Sequence, residues 1–232
     1  MEEAILRLSA PYFCEPYQRD RNDYVERMGI RVWRPNHCLH HSACQLFLAG
    51  AIVDMIGDPI LGGEKSRIEM AAAFQRSGRE SEGSRESLQE VYDAYELADL
   101  RNFDTASRRL GIFSDFQRQV YRESIRWSTA DGETFPHSPV VRDVIQAAHI
   151  LHLRRMPSFD AERIKREAVE KLENYIDDAS GTVERVWDLC GRYLEATGDR
   201  DLVRGKRTFS DRFFILSNDP TLLAQTLKSV TP

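Results

Sequence analysis

The sequence predicts an all-α protein, built as a single helical domain with a C-terminal helical extension or cap. Helix-start patterns recur along the chain, as in Ser87-Leu88-Gln89-Glu90 and Ser138-Pro139. Apolar residues behind these starts repeat at helical spacing, and no convincing alternation of apolar and polar residues predicts a strand. The apolar share of 41% in 232 residues is enough for a folded core.

Residues 1–33 are predicted to be an irregular lead-in with a short helix. The first clear helix is expected to begin with Asn36 as its cap and to stop at Gly57-Asp58-Pro59, because proline cannot continue a helix. A helix over 68–74 is predicted behind the capping box Ser66-Arg67-Ile68-Glu69, and a second helix is predicted from Ser87. Asp104 is predicted to cap a short helical turn, and Ser138 to start a helix that reaches Met156. Further helices are predicted over 113–127, near 160–178, near 182–196 and from Asp219-Pro220.

Composition limits the possible partners. A net charge of −5 argues against broad nucleic-acid binding, since phosphate backbones favour basic surfaces. The four cysteines form no close Cys-x-x-Cys pair, which argues against both a disulfide framework and a structural zinc site. No signal pattern opens the chain, and the apolar run Leu46–Ile56 is too short for a bilayer. We therefore expect a soluble, cytosolic protein without a membrane partner.

Three polar segments carry the candidate chemistry. The first contains Arg34, Asn36, His37 and His41 at the head of an apolar helix. On a helix His37 and His41 would share one face, and free N–H groups at the helix start would favour an anionic ligand. Neutral imidazole can accept a proton or attack phosphorus, so this cluster predicts phosphate chemistry.

The other two segments would complete such a site. Arg79-Glu80-Ser81-Glu82 follows Gly78, and it offers an arginine to hold phosphate and carboxylates to orient a histidine. His149 and His152 stand at positions i and i+3, just before Arg154-Arg155. The Glu-x-Glu pair also occurs in ADP-ribosyltransferases, but that fold requires strands, and we reject this interpretation.

Together, these segments resemble the phosphodiesterase domain of the SidE-family effectors and their stand-alone relatives that cleave phosphoribosyl-linked ubiquitin. The family carries the blocks Arg-Pro-Asn-His-Gly-x-x-His, Gly-Arg-Glu-x-Glu and Ala-His-x-Leu-Asp-Leu-x-Arg in this order. The corresponding blocks here run over 34–41, 78–82 and 148–155. The resemblance covers about residues 30–156, which we take as the helical core, with 157–232 as a C-terminal helical segment packed on it.

The resemblance implies a metal-independent phosphodiesterase without cofactor. His37 would attack phosphorus, His149 would serve as general acid and base, and Glu80 would orient a histidine, supported by Glu82 and His41. The residues expected to bind phosphate or substrate are Arg34, Asn36, Arg79 and Arg155. The expected partner is ubiquitin or a ubiquitin-conjugated protein, and the resemblance also suggests secretion into a host cell as an effector.

Two residues depart from the family pattern. Cys38 replaces the glycine after the first histidine, and His152 replaces the aspartate of the third block. The sequence contains no ADP-ribosyltransferase domain, so we expect cleavage of an existing linkage, either phosphoribosyl-ubiquitin from serine or ADP-ribosylated ubiquitin to phosphoribosyl-ubiquitin and AMP.

Two alternatives stay open at the level of sequence. One is a metal-dependent helical phosphohydrolase with ligands among His37, His41, Glu80 or Glu82, and His149. The other is a helical ubiquitin-binding module whose catalytic site has decayed, which the changes at Cys38 and His152 would explain.

Overall fold

A computed structural model describes residues 1–14, 24–27, 30–33, 38–78, 88–125, 139–156, 158–199, 201–203 and 206–232. Helices dominate these segments, which confirms the all-α class. The helices are α1 (Glu2–Cys14), α2 (Leu39–Ile56), α3 (Pro59–Phe74), α4 (Leu88–Leu110), α5 (Asp115–Ile125), α6 (Pro139–His152), α7 (Ala161–Leu172), α8 (Ala179–Thr197), α9 (Asp211–Leu216) and α10 (Pro220–Val230).

The central element is α2, because other helices surround it. Helices α1, α3, α6 and α8 all pack against it. Its mean hydropathy of 1.3 over 18 residues would suffice for a membrane span by length and composition, but 83% of it is buried inside the protein. An apolar helix enclosed in this way forms the core of the fold. It ends as predicted, at Gly57 in the left-handed conformation with φ of 69°.

Two predicted helix starts are wrong. Helix α2 begins at Leu39 with Cys38 as the N-cap residue, two positions after the predicted cap. Helix α3 begins at Pro59, not behind Ser66, because the Asp58 carboxylate accepts hydrogen bonds from the backbone N–H groups of Ile60 and Leu61 at 2.7 and 2.9 Å. A cap followed by proline at the first position is a complete start signal, and it leaves the later capping box inside the helix.

The later helices agree better with the sequence. Helix α6 starts at Pro139 as expected, and after His152 a 3-10 turn, Leu153–Arg155, continues it towards Met156. The Asp219 carboxylate caps α10 through the N–H of Leu222. Asp104, predicted to cap a separate turn, lies inside the single long helix α4.

The described residues include four short strands that were not predicted. They form two antiparallel hairpins, β1 (Tyr24–Arg27) with β2 (Ile30–Trp33) and β3 (Asp201–Val203) with β4 (Lys206–Thr208). Strands of three and four residues are too short for an alternating pattern to stand out from chance.

One hydrophobic core includes both ends of the chain. It contains Ile5 of α1, Leu48 of α2, Leu194 of α8 and Leu227 of α10, each 0% exposed. The C-terminal helices are therefore part of the same core as α2.

Candidate active site

Helices α2 and α6 bring three histidines together. The rings of His41 and His149 meet edge to face with centroids 5.6 Å apart, and His41 stacks on His152 at 5.1 Å. All three side chains are buried, with His149 the most accessible at 7%. Three of the predicted site residues, His41, His149 and Arg155, therefore lie in one cluster, and His152 joins them.

Arg155 determines which nitrogen of His152 carries the proton. Its Nη1 atom donates to His152 Nδ1 at 2.9 Å and to the His152 carbonyl at 3.2 Å. A guanidinium has only donors, so His152 Nδ1 must present a lone pair. His41 Nδ1 lies 3.0 Å from the same atom and therefore carries a proton that it donates. The position at which the family has aspartate remains a hydrogen-bond acceptor in this chain.

His149 has a second set of partners that the sequence reasoning missed. Gln45 Nε2 lies 2.8 Å from His149 Nδ1 and 2.9 Å from Gln75 Oε1, and both glutamines are buried. Gln45 follows His41 by four residues and so shares its helix face, which is the sequence signal that could have identified it.

Neighbouring residues of the same motifs face elsewhere. His40 donates from Nε2 to the Phe213 carbonyl at 3.0 Å and stacks on the Phe213 ring. Cys38 packs into the same small apolar cluster with Phe213 and Phe214. Arg154 lies over Trp187 of α8, with 4.8 Å from its guanidinium carbon to the ring centroid. In the part of the chain that the structure describes, these contacts lead away from the histidine cluster.

A buried carboxylate holds the turn that leads into the Gly-Arg-Glu block. The oxygens of Asp99 accept from the backbone N–H groups of Arg76 and Gly78 at 2.9 and 2.5 Å and from the Ser77 hydroxyl at 3.3 Å. Arg76 adopts a left-handed φ of 71°, and a Cβ on Gly78 would come within 2.3 Å of Ala98. Burial outweighs these hydrogen bonds and raises the pKa of Asp99 to about 7.

Six predicted site residues lie outside the described residues. They are Arg34, Asn36, His37, Arg79, Glu80 and Glu82. Their assigned roles therefore stay predictions.

Three of the four cysteines are buried in the described part of the chain. Cys38, Cys44 and Cys190 form no disulfide there. Burial, with Cys190 and Asp199 nearby, raises the pKa of Cys44 well above its ordinary value, so this thiol stays protonated near neutrality. Within the described segments, no three His, Cys, Asp or Glu side chains have the arrangement of a metal site.

A separate cavity lies at the other end of α2. It has a volume of about 770 Å³ and includes Ile56, Phe116, Gln117 and Tyr175 in its lining. It contains none of the histidines, so the candidate active site is defined by the polar cluster and not by this cavity.

A family comparison decides the identity of the chain. The model of the SidE phosphodiesterase (PDE) domain matches residues 16–203. This chain belongs to the SidE phosphodiesterase domain family. The matched region contains all three motif blocks and most of the helices around them, and it confirms the phosphodiesterase class. A comparison with curated protein sequences gives no match.

Solved structures share the fold of this SidE phosphodiesterase domain. The C-terminal domain of lpg1496 from Legionella pneumophila superposes with a TM-score of 0.71 at 18% identity, over 99% of this chain and 95% of that chain. The same domain in complex with nucleotide gives 0.68 at 18% identity, over 99% and 96%. A longer lpg1496 chain, of which 65% is spanned, gives 0.70 at 16% over 98% of this chain. At these identities the likeness concerns the fold.

Proposed function

We propose that this domain hydrolyses a phosphodiester that joins ribose to another group, through a histidine nucleophile and a histidine acid–base. The observation that carries the proposal is the buried cluster of His41, His149 and His152 beside Arg155, in a chain of the SidE phosphodiesterase domain family. Two imidazoles beside a guanidinium supply proton transfer and positive charge, which phosphoryl transfer requires.

The reaction proceeds in two steps. In the first, a nitrogen of His37 attacks phosphorus, the bond to the leaving oxygen breaks, and His149 in its imidazolium form gives that oxygen a proton. In the second, water attacks the phosphohistidine, neutral His149 takes the proton from water, and the bond from phosphorus to His37 breaks. The enzyme returns to its starting state because the proton lost in the first step is regained in the second.

The other residues position these groups and neutralise charge. Glu80, supported by Glu82, orients one histidine, and Arg79 and Arg155 hold the phosphate oxygens together with Arg34 and Asn36. Arg155 supports this role because it is 3% exposed and hydrogen-bonded to His152, so its guanidinium is held in place before substrate binds.

The substrate we propose is phosphoribosyl-linked or ADP-ribosylated ubiquitin. The family resemblance supports this choice, and the nucleotide complex of the lpg1496 domain supports a ligand with phosphate and ribose. We further propose that the protein acts as an effector of a bacterium, delivered into a host cell.

The test is an assay of the full chain with ADP-ribosylated ubiquitin and with a protein carrying phosphoribosyl-linked ubiquitin on serine. Wild type is expected to release AMP from the first and ubiquitin from the second. His37→Ala and His149→Ala are each expected to lose about 10²–10⁴-fold in kcat, the usual contribution of such groups. Gln117→Met, in the distant cavity, serves as the control and should keep full activity.

Two further outcomes identify the alternatives. Activity that is lost in EDTA and restored by stoichiometric zinc or manganese would favour the metal-dependent phosphohydrolase. Binding of ubiquitin by wild type and variants alike, with no turnover of either substrate, would favour a decayed binding module.

A further inference from the structure

Two buried glutamines connect α2 and α3 to His149. Gln45, on α2, is 0% exposed, and Gln75, which follows α3, is 1% exposed. The Gln45 Nε2 group uses its two hydrogens for Gln75 Oε1 and His149 Nδ1. In this arrangement His149 Nδ1 presents a lone pair, so the neutral ring carries its proton on Nε2.

This tautomer cannot perform the chemistry proposed for His149. A neutral imidazole with its proton on Nε2 has no lone pair there to accept a proton from water. An imidazolium, the form that protonates a leaving group, carries hydrogens on both nitrogens, and its Nδ1–H would face the NH₂ group of Gln45. Catalysis through Nε2 therefore needs an acceptor opposite Nδ1.

The glutamine pair can supply that acceptor without losing a hydrogen bond. Among the described residues, neither Gln45 Oε1 nor Gln75 Nε2 has a hydrogen-bond partner. If both amides turn by half a rotation, Gln75 Nε2 donates to Gln45 Oε1, and the same oxygen accepts from His149 Nδ1–H. The number of hydrogen bonds is equal in the two orientations, so the orientation of the pair depends on the proton at His149 Nδ1.

We propose that Gln45 and Gln75 form a two-position amide pair that turns with the protonation of His149 Nδ1 and orients His149 for proton transfer at Nε2. Both are positioning residues. Gln45 contacts the histidine, and Gln75 acts through Gln45. The catalytic part of this inference rests on the proposed function, whereas the turning of the pair does not.

Other titratable groups lie on the elements around His149, and their protonation can also affect the NMR signals of the pair. Those on the elements packed around His149 are His41 and Cys44 on α2, Arg76 beside Gln75, His152 and Arg155 at the end of α6, and Asp199 after α8. The experiment must therefore assign its signals to individual residues.

The first measurement uses ¹⁵N-labelled full-length protein without substrate. The side-chain NH₂ signals of Gln45 and Gln75, assigned with Gln45→Met and Gln75→Met, are followed with the ring nitrogens of His149 from pH 5 to pH 9. Both amide signals are expected to shift with the same midpoint as His149. If His149 changes its protonation while the two amide signals stay constant, the pair does not turn and the proposal is wrong.

The second measurement uses AMP release from ADP-ribosylated ubiquitin. Gln45→Met should lower kcat about 10–100-fold with little change in KM, the usual effect of losing a residue that orients a functional histidine. Gln45→Glu keeps an acceptor towards Nδ1–H and should stay within about tenfold of wild type, with its optimum at higher pH because a carboxylate stabilises the imidazolium. Gln117→Met again provides the matched control.

The relative activities of Gln45→Met and Gln45→Glu show whether Gln45 orients His149 or only fills space in the core. A purely structural glutamine would tolerate the isosteric methionine at least as well as a buried carboxylate, so Gln45→Met as active as Gln45→Glu overturns the catalytic role. If wild type releases no AMP, the proposed function fails, and the spectra still decide whether the amide pair turns.

Discussion

At the scale of single residues, the change from the family's aspartate to His152 is accommodated because the hydrogen-bonding role is kept. His152 Nδ1 lies within 3.0 Å of one donor on His41 and 2.9 Å of another on Arg155. A neutral imidazole and a carboxylate can both accept at this point, and they differ in charge. The substitution thus changes the charge at this position more than its hydrogen bonds.

A pair of variants tests this view of His152. His152→Leu removes the acceptor and leaves two donors buried, so we expect the free energy of unfolding to fall by about 1–3 kcal/mol, measured by urea denaturation. His152→Asp, the matched variant, retains an acceptor and should be close to wild type in stability. If the leucine variant is as stable as wild type, the acceptor role assigned to Nδ1 is wrong.

At the scale of elements, the contact between α2 and α3 includes a glycine that faces a buried carboxylate. A Cβ on Gly50 would lie 2.5 Å from Glu69 Oε1, and Glu69 is only 3% exposed. Burial is the largest cause that raises the pKa of Glu69 from 4.5 to about 7, and Glu2 adds to it. The contact between these helices therefore includes a group that prefers to be protonated.

This preference makes stability depend on pH. Below pH 4.5 the carboxyl is protonated in both states, whereas between pH 4.5 and about 7 it ionises first in the unfolded chain. The contribution of Glu69 to stability is therefore lost as pH rises through this window.

The corresponding variant is Glu69→Gln, which cannot ionise. We expect the fall in unfolding free energy between pH 5 and pH 8 to be smaller than in wild type by about 2 kcal/mol, measured by urea denaturation at both pH values. Glu195→Gln, on the exposed face of α8, is the control and should follow wild type. An unchanged pH dependence in the Glu69 variant would contradict the assignment.

At the scale of the whole molecule, the C-terminal helices complete the core around α2. Helix α8 packs on α2, and α10 packs on α1 and α8. The hydroxyl of Thr221 in α10 accepts from Arg7 Nε at 3.2 Å and donates to the Glu3 carboxylate at 3.0 Å, which fixes α10 to α1. The segment 157–232 therefore contributes to the stability of the core.

Truncation tests this contribution. A chain ending at Met156 loses α7 to α10, and the apolar faces of α1, α2 and α6 that these helices cover become exposed to water. We expect it to lack the cooperative thermal transition of the full chain in circular dichroism. Separate expression of 1–156 and 157–232 in one cell should yield a co-purifying complex. A folded, monomeric 1–156 would show that the core is complete without the C-terminal helices.

Much of the architecture could be predicted from local patterns. The start of α6 at Pro139, the cap of α10 at Asp219 and the end of α2 at Gly57 follow from backbone chemistry within a few residues. The errors arose where two local signals competed, as at Asp58 and Ser66 for α3, or where strands were too short to show a period.

The sequence by itself determined the all-α class, the family and the three motif blocks, because caps, helical periods and motif spacing are local properties of the chain. Only the tertiary structure decided which members of each block meet. His41 faces α6 while His40 faces Phe213, and Arg155 joins the cluster while Arg154 lies on Trp187. It also added Gln75, the residue that follows α3. Adjacent residues on a helix point about 100° apart, so the packing of the surrounding helices selects the side chains that form the site.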